Sequence, residues 1–359
     1  MSATRQALFW LAAFAAFFLL LHLLGGMLLP FVAGLGIAYI LAPLVELLTR
    51  WRLPRGLAAL VGLLLFILVL VVVIVLIVPV IELQTAQLVR SGPAIVEFGR
   101  QQIQNMLDLA QEKLPPEDVT KIRDMVGGWT GTALGFAAGF AQRILSGGLA
   151  IANILSLLLI TPMVAFFMLR DWDLIVARID SWLPRHYAPT IREQWHLVDE
   201  TIAGYIHGQA IVSLITGVYY AIALAIVGLN FAVVIGIVIG ILSFIPYIGE
   251  AIGLLMAFGL AGVQFGSWSK IGVIAIIFAV GHTIAGNYLQ PKLVGSRVHL
   301  HPVWVIFALL AFGALFGFVG VLVALPAAAV TGVLVRFAIS RYLASSFYDP
   351  DQVKREGPS

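Results

Sequence analysis

Cysteine is absent from the 359-residue sequence. Without a thiol, the chain has no disulfide, no thiolate metal ligand and no cysteine nucleophile. Charge is also scarce: Asp, Glu, Lys and Arg make up 11% of the residues, about half the share of an ordinary soluble domain, while 61% are hydrophobic. A soluble protein needs polar side chains to cover its surface, so a chain this apolar needs lipid to cover it instead.

The charged residues that do occur leave long stretches of the chain without any. No Asp, Glu, Lys or Arg occurs in residues 6–45, 56–81, 144–169, 201–249 and 298–335. Roughly 20 apolar residues span the hydrocarbon core of a bilayer, so each stretch holds at least one span. The sequence therefore predicts an all-α, polytopic membrane protein with the lipid bilayer as its surroundings.

Glycine and proline breaks divide these stretches into about six full spans and two interrupted hairpins. The predicted divisions are spans one to three in residues 1–80, an external amphipathic helical segment in 81–146, span four with a cytoplasmic helical linker in 147–200, a transport core in 201–345 and a cytoplasmic tail in 346–359. Within residues 1–80, the three spans are expected at about 6–24, 27–48 and 57–80.

The two hairpins lie in the core, at residues 231–264 and 303–336. They are interrupted at "FIPYIGE" and "FGALFGFVG". Each arm of the first is nearer 15 residues than 20, or roughly 22 Å of helix, which is short for a full span. Such interrupted segments are typical of the re-entrant or broken helices that transporters use at their binding sites. Ordinary tight hairpins of full spans are the alternative.

The positions of Lys and Arg predict the orientation. Basic residues cluster between spans two and three, after span four, after span six and at the end of the chain. All of these fall in the cytoplasm if both termini do, as expected for a multi-pass protein of a bacterial inner membrane. The two hairpins then enter from opposite faces, which is the geometry of an alternating-access site.

Glu250 is the most informative single side chain, because it is the only acidic residue between Glu200 and Asp349. A carboxylate in a membrane hairpin is costly unless it is paired, hydrated or protonated. Glu250 therefore marks a proton or cation site or a gate for a polar solute, unless it merely caps a wetted turn. His282, inside span six, is the second proton or cation candidate.

The predicted substrate-binding residues lie at the hairpin tips and beside them. They either break the helix and expose backbone groups, or offer an amide or carboxylate to a hydroxylated solute. Turn-making and interfacial capping are the alternative roles. The set comprises Gln209, Pro246, Tyr247, Gly249, Glu250, Asn287, Gln290, Gly313, Gly317 and Gly320.

Several chemistries have no motif here. A Walker A loop, an HExxH pair and a G-x-S-x-G elbow are all absent from the sequence, so direct use of ATP and protease chemistry have little support. Basic residues are scattered between spans, which does not suit nucleic acid. We expect no enzyme activity, no catalytic residue, no metal and no cofactor.

Two long segments resemble the autoinducer-2 exporter family. They are "GQAIVSLITGVYYAIALAIVGLNFAVVIGIVIGILSFIPYIGE" and "NYLQPKLVGSRVHLHPVWVIFALLAFGALFGFVGVLVALPAAAV". The resemblance implies homo-pentamers, substrate binding by two helical hairpins and an elevator-like motion. It also implies small substrates: a furanone-like quorum-sensing signal in some members, sodium/proton exchange in others. One position departs from the family pattern, because Glu250 follows "IPYIG" where proline is common.

Three functions are consistent with these observations. The first is a secondary transporter or exporter of a small polar solute, such as an autoinducer-2-like signal. The second is a sodium/proton antiporter that uses Glu250 and His282. The third is a membrane scaffold without transport activity, in which residues 82–124 bind a partner.

Overall fold

The computed structural model describes residues 23–79, 150–265, 267–295 and 301–345, besides the isolated residues 12, 82 and 348. The predicted first span, the amphipathic segment and the C-terminal tail lie almost wholly outside these ranges. Within them the chain is helical and has no strand, which confirms the all-α fold class. The helices are α1 (Leu29–Arg50), α2 (Arg55–Pro79), α3 (Ala150–Ser181), α4 (Ala188–Ile226), α5 (Ala232–Leu242), α6 (Ile248–Phe265), α7 (Trp268–His282) and α8 (Pro302–Leu343).

Five helical stretches of the described chain are long and apolar enough to cross a membrane. They are α1, α2, α4, α7 with its extension to Val294, and α8. Leucine, isoleucine and valine side chains cover their outer surfaces: Leu76, for example, is 67% exposed on α2. Such surfaces are stable only against lipid or another protein. The protein is therefore a membrane protein.

The N-terminal helices share one core, formed by α1, α2 and α3. Its members are mostly small or aliphatic, so that the helices approach closely; Gly34 of α1, for instance, faces Val164 of α3. We name this set the N-terminal core: Ala38, Leu41, Val45, Ala58, Ala59, Leu63, Ala165 and Leu169.

A second core joins α4 to the first predicted hairpin and to α7. Gly217 of α4 and Gly236 and Gly240 of α5 bring the two backbones into direct contact, with a Cβ at Gly217 only 3.0 Å from the Gly236 carbonyl oxygen. We name this set the hairpin core: Tyr220, Leu224, Leu229, Ala232, Ile235, Ile239, Ala257, Ala261, Ile274 and Phe278.

Hairpin one consists of α5 and α6, which run antiparallel. Gly249 packs on the end of α5, because a Cβ there would lie 2.6 Å from the Ser243 nitrogen. At the base, Gln264 donates to the Gly228 carbonyl oxygen at 2.6 Å and accepts from the Asn230 amide at 2.8 Å. The arms of 11 and 18 residues are roughly 16 and 27 Å long, so the first is shorter and the second longer than the sequence predicts.

Hairpin two is formed by α8, which folds back on itself at Gly317. Gly317 has φ 60° and ψ −139°, a region that only glycine enters readily. The arms touch beyond the break, because a Cβ at Gly313 would lie 3.0 Å from Cγ2 of Val321. The predicted interruption at "FGALFGFVG" is thus a single glycine within a helical element.

Hairpin two packs on the first half of α4 rather than on hairpin one. Its second arm supplies Leu325 and Ala329 to a third cluster, in which Tyr205 and Ile206 of α4 meet Val294. Tyr39 and Ile40 of α1 border this cluster, and Tyr39 also donates a 2.8 Å hydrogen bond to Asp199. We name it the joint cluster, since it links the N-terminal helices to the rest.

Polar contacts gather several helix ends at one end of the molecule. Arg55 of α2 pairs with Asp173 of α3, and Arg192 of α4 lies 2.6 Å from Asp180 at the end of α3. The hydrogen bond from this guanidinium lowers the pKa of the exposed Asp180 carboxyl. Arg341, near the end of α8, donates to Thr190 of α4. Basic residues of three predicted clusters therefore lie at this end of the molecule: the cluster between spans two and three, the one after span four and the one at the end of the chain.

Candidate functional site

The tip of hairpin one is an irregular turn between α5 and α6. The helix α5 ends at Leu242, where the Ser243 hydroxyl donates back to the Ile239 carbonyl oxygen at 2.6 Å. Pro246 follows in the turn, and Tyr247 adopts the left-handed conformation with φ 68°. A non-glycine residue in this conformation stores strain, which often accompanies binding sites. The carbonyl groups of Ser243 and Phe244, in the turn just after α5, are available to side chains.

Residues of α4 bind these carbonyl groups. The Gln209 amide donates to the Ser243 carbonyl oxygen, and the Tyr205 hydroxyl donates to that of Phe244 at 3.3 Å. Gln209 and Tyr205 are almost fully buried, at 1% and 2% exposure. Gln209, predicted as a substrate-binding residue, is therefore engaged by the hairpin tip in this conformation.

Glu250 lies in the first turn of α6, immediately after the tip. Its Oε2 is 2.8 Å from Nδ1 of His282 on α7, and its Oε1 accepts from the Tyr220 hydroxyl of α4 at 3.3 Å. The structure thus brings together the two side chains that the sequence marks as proton or cation candidates. In addition, it supplies Tyr220, which the sequence analysis does not single out.

Aromatic packing fixes the position of Tyr220. Its ring is buried and lies 4.6 Å from the Phe278 ring and 5.2 Å from the Tyr219 ring, measured between centroids. Tyr219 is held in turn by a 3.0 Å hydrogen bond to the Ile277 carbonyl oxygen. Tyr220, the partner of the carboxylate on α4, is therefore held in place, whereas the His282 side chain is 62% exposed.

A shallow cavity of about 450 Å³, largely open to the surroundings, lies beside this cluster, and its volume is in the range of small-molecule sites. Glu250 and His282 supply charge and hydrogen-bonding groups at one side, and the remaining wall is largely aromatic or aliphatic. Such a lining can hold a compact solute that has both polar and apolar faces. The lining residues are Tyr247, Glu250, Ala251, Leu254, Phe258, Ala275, Phe278, Ala279 and His282.

The other predicted binding residues surround hairpin one or lie apart from the cavity. Pro246 and Gly249 shape its tip. Asn287 and Gln290 lie beyond α7, where the backbone is π-helical over Thr283–Leu289 and Pro291–Gly295, and neither lines the cavity. The tip glycines Gly313, Gly317 and Gly320 of hairpin two do not line it either.

The residues that sequence reasoning missed are the members of the lining other than Tyr247, Glu250 and His282, together with Tyr220. Their approach to Glu250 cannot be read from local sequence spacing. Tyr220, for example, is 30 positions from Glu250 along the chain. Across the part of the chain that the structure describes, no three His, Cys, Asp or Glu side chains gather as metal ligands would.

Comparisons with known proteins agree with this architecture. Residues 9–339 match the profile of the AI-2E family transporters. YrrI of Bacillus subtilis strain 168, named a candidate transport protein, is 29% identical over 310 residues, which cover 86% of this chain and 85% of YrrI. PerM of Escherichia coli K12, named a candidate permease, is 26% identical over 334 residues, or 90% of each chain. Since the profile covers nearly the whole sequence, the chain belongs to the AI-2E transporter family.

Proposed function

We propose that this protein is a secondary transporter that moves a small polar solute across the bacterial inner membrane by alternating access. The observation that carries the proposal is the cavity at the tip of hairpin one, where a helix break, strained backbone and a Glu–His–Tyr cluster coincide. Membership of a transporter family makes transport the expected use of such a cavity, and no enzymatic role is assigned to it.

The lining favours a hydroxylated, uncharged or weakly charged solute of furanone size. Glu250 and His282 can accept and donate hydrogen bonds to hydroxyl groups, while Phe258 and Phe278 provide an apolar wall for a ring. An autoinducer-2-like signal, a cyclic diol, has this chemistry, and export of such a signal would serve quorum sensing.

An elevator-like movement is the form of alternating access that the packing supports. Hairpin one, α4 and α7 share the hairpin core and are tied by Gln209, Gln264 and Tyr220. The N-terminal core is separate and meets α4 at the joint cluster. We propose that the hairpin core moves as one body against the N-terminal core. Homo-pentamers would supply the fixed frame.

The orientation follows from the basic residues. The Arg-rich helix ends that meet at Asp173, Asp180 and Thr190 would face the cytoplasm, by the preference of Lys and Arg for that side. Both termini would then be cytoplasmic, hairpin one would enter from outside and hairpin two from inside.

Transport can be tested in proteoliposomes of purified protein. The vesicles are loaded with labelled ribose or with a labelled furanone diol of the autoinducer-2 type, and efflux is compared with that from protein-free vesicles. The proposal predicts protein-dependent, saturable efflux of at least one of these hydroxylated solutes. Efflux equal to that of empty vesicles for both solutes would contradict it.

A further inference from the structure

Glu250 is the acidic side chain that lines the cavity, and among the described residues no Lys or Arg pairs with it. Among the described residues packed around Glu250, α4 presents Tyr219 and Tyr220, and α5 has no titratable side chain at all. Tyr247 lies at the tip, and α7 presents His282, with Lys270 twelve residues away along the helix, or roughly 18 Å. Within the described part of the chain, the group that can neutralise Glu250 at contact distance is therefore His282, at 2.8 Å.

The pair consequently has two charge states that differ by one proton. With a neutral imidazole, the carboxylate leaves a net charge of minus one. Binding of one proton gives either an imidazolium–carboxylate ion pair or a neutral imidazole beside a carboxylic acid, and both have zero net charge. The 2.8 Å separation of Nδ1 and Oε2 lets the proton pass between these two forms.

We propose that Glu250 and His282 form a proton-binding site that controls the movement of hairpin one. A net charge in the low-dielectric part of a membrane is strongly disfavoured, whereas a neutral pair is tolerated. The hairpin therefore crosses between its outward and inward positions in the protonated form. This inference rests on the proposed transport function and adds its controlling ligand, a proton.

Tyr220 completes the site by holding the carboxylate in place. Its hydroxyl is 3.3 Å from Oε1 of Glu250 and 3.5 Å from the Phe278 carbonyl oxygen. Because Tyr220 belongs to the buried hairpin core, it keeps Glu250 aimed at His282, whose side chain is the more exposed of the pair at 62%. Tyr220 is a positioning residue in this scheme, not a proton carrier.

Proton binding can be measured without any transported solute. Wild-type protein and the Glu250→Gln variant are reconstituted in lipid nanodiscs, and infrared difference spectra are recorded between about pH 5 and pH 8, the range in which histidine changes charge. The proposal predicts that wild type shows carboxyl or imidazole protonation signals that E250Q lacks. Identical difference spectra would overturn it.

Solute flux then tests whether that proton controls movement. Equilibrium exchange of labelled ribose, or of the furanone diol where ribose gives no flux, is measured with equal pH on both sides. Wild type should speed up as the pH falls, by on the order of tenfold or more, since the net-charged form is disfavoured by such factors. E250Q, which cannot become a carboxylate, should lose this rise.

His282→Gln keeps Glu250 but removes the imidazole that shares its proton. The rise in exchange should therefore move to lower pH, where the carboxyl group alone binds the proton, and the His282 infrared signal should be lost. A pH rise in E250Q equal to that of wild type would overturn the proposal. Absence of flux in wild type, with the infrared difference intact, would instead refute the transport function and leave the proton site standing.

Discussion

At the scale of single residues, the tip of hairpin one depends on side chains that donate to backbone carbonyl groups. Inside a membrane, water does not compete for such groups, so each must find a donor in the protein. Gln209 and Tyr205 provide donors at the tip and Gln264 provides one at the base. These three side chains therefore hold both ends of the hairpin to α4 and to the turn that follows it.

Replacing Gln209 by leucine should destabilise the protein. The substitution nearly preserves side-chain volume but leaves the Ser243 carbonyl oxygen without its donor, which costs about 1–3 kcal/mol. The measurement is the thermal unfolding midpoint in detergent. Gln290→Leu is the matched control, since the Gln290 side chain is half-buried and makes none of the side-chain hydrogen bonds found in the described residues. Equal midpoints for the two variants would contradict this role of Gln209.

Tyr247 offers a test of backbone strain that is separate from its ring. Its φ of 68° is costly for any residue that has a Cβ, so Tyr247→Gly should be about 1 kcal/mol more stable than Tyr247→Ala. Both variants lack the ring, and their difference in unfolding midpoint reports only the backbone. A Tyr247→Ala variant as stable as the glycine variant would show that the turn is unstrained.

At the residue scale, the candidate proton-binding side chains could be predicted from the sequence, but their contacts could not. Glu250 could be predicted, because a solitary acid in a long uncharged stretch must have a compensating group. His282 could be proposed as a second candidate from its place in a span. Their contact could not be predicted, nor could the part played by Tyr220, because both depend on how α4 and α7 pack against α6.

At the scale of helices, the interlocking of hairpin one with α4 depends on glycine. A Cβ at Gly236 would lie 2.5 Å from the Ala221 nitrogen and 2.6 Å from the Gly217 carbonyl oxygen. These are backbone atoms, so the two helices would have to move apart. The short first arm of the hairpin is thus held by close backbone contact rather than by large side chains.

Gly236→Ala should therefore separate the two helices and destabilise the protein by about 1–3 kcal/mol. Gly259→Ala is its control, since Gly259 lies in the other arm of the same hairpin and has no atom within 4 Å of the added Cβ. That control should be neutral or more stable by about 0.5–1 kcal/mol, because alanine favours a helix more than glycine does. Thermal unfolding in detergent compares the two; a neutral Gly236→Ala would refute the close contact.

The helical elements were predictable to different degrees. The second and third spans, expected at 27–48 and 57–80, correspond closely to Leu29–Arg50 and Arg55–Pro79, because long apolar runs bounded by charge leave few choices. In span six, by contrast, the α-helix ends at His282 and the chain continues as π-helix. No composition signal distinguishes these two backbone forms, so this boundary required the structure.

At the scale of the whole molecule, the described helices form three packed clusters rather than one continuous core. The joint cluster has the fewest buried residues of the three. Through Tyr205 and Ile206 of α4 it connects hairpin two to that helix. The sequence predicts two hairpins, but not that the cavity is lined by hairpin one and α7 alone among the described residues. Hydrophobicity identifies lipid-facing helices well, whereas it does not specify which of them pack together.

In the proposed function, a solute crosses the membrane through the cavity beside Glu250. Ala279 lines this cavity, while the next residue, Val280, is 44% exposed and does not line it. Phenylalanine at position 279 would fill part of the space, and at position 280 it would add apolar surface outside it. The two variants therefore differ in cavity volume but little in composition.

The most direct measurement is efflux of the labelled furanone diol or ribose from proteoliposomes that contain wild type, Ala279→Phe or Val280→Phe at equal protein density. Ala279→Phe should lose most of the wild-type flux, by about tenfold or more for a blocked site, while Val280→Phe should stay within about twofold of wild type. Wild-type flux in Ala279→Phe would show that the solute does not pass through this cavity.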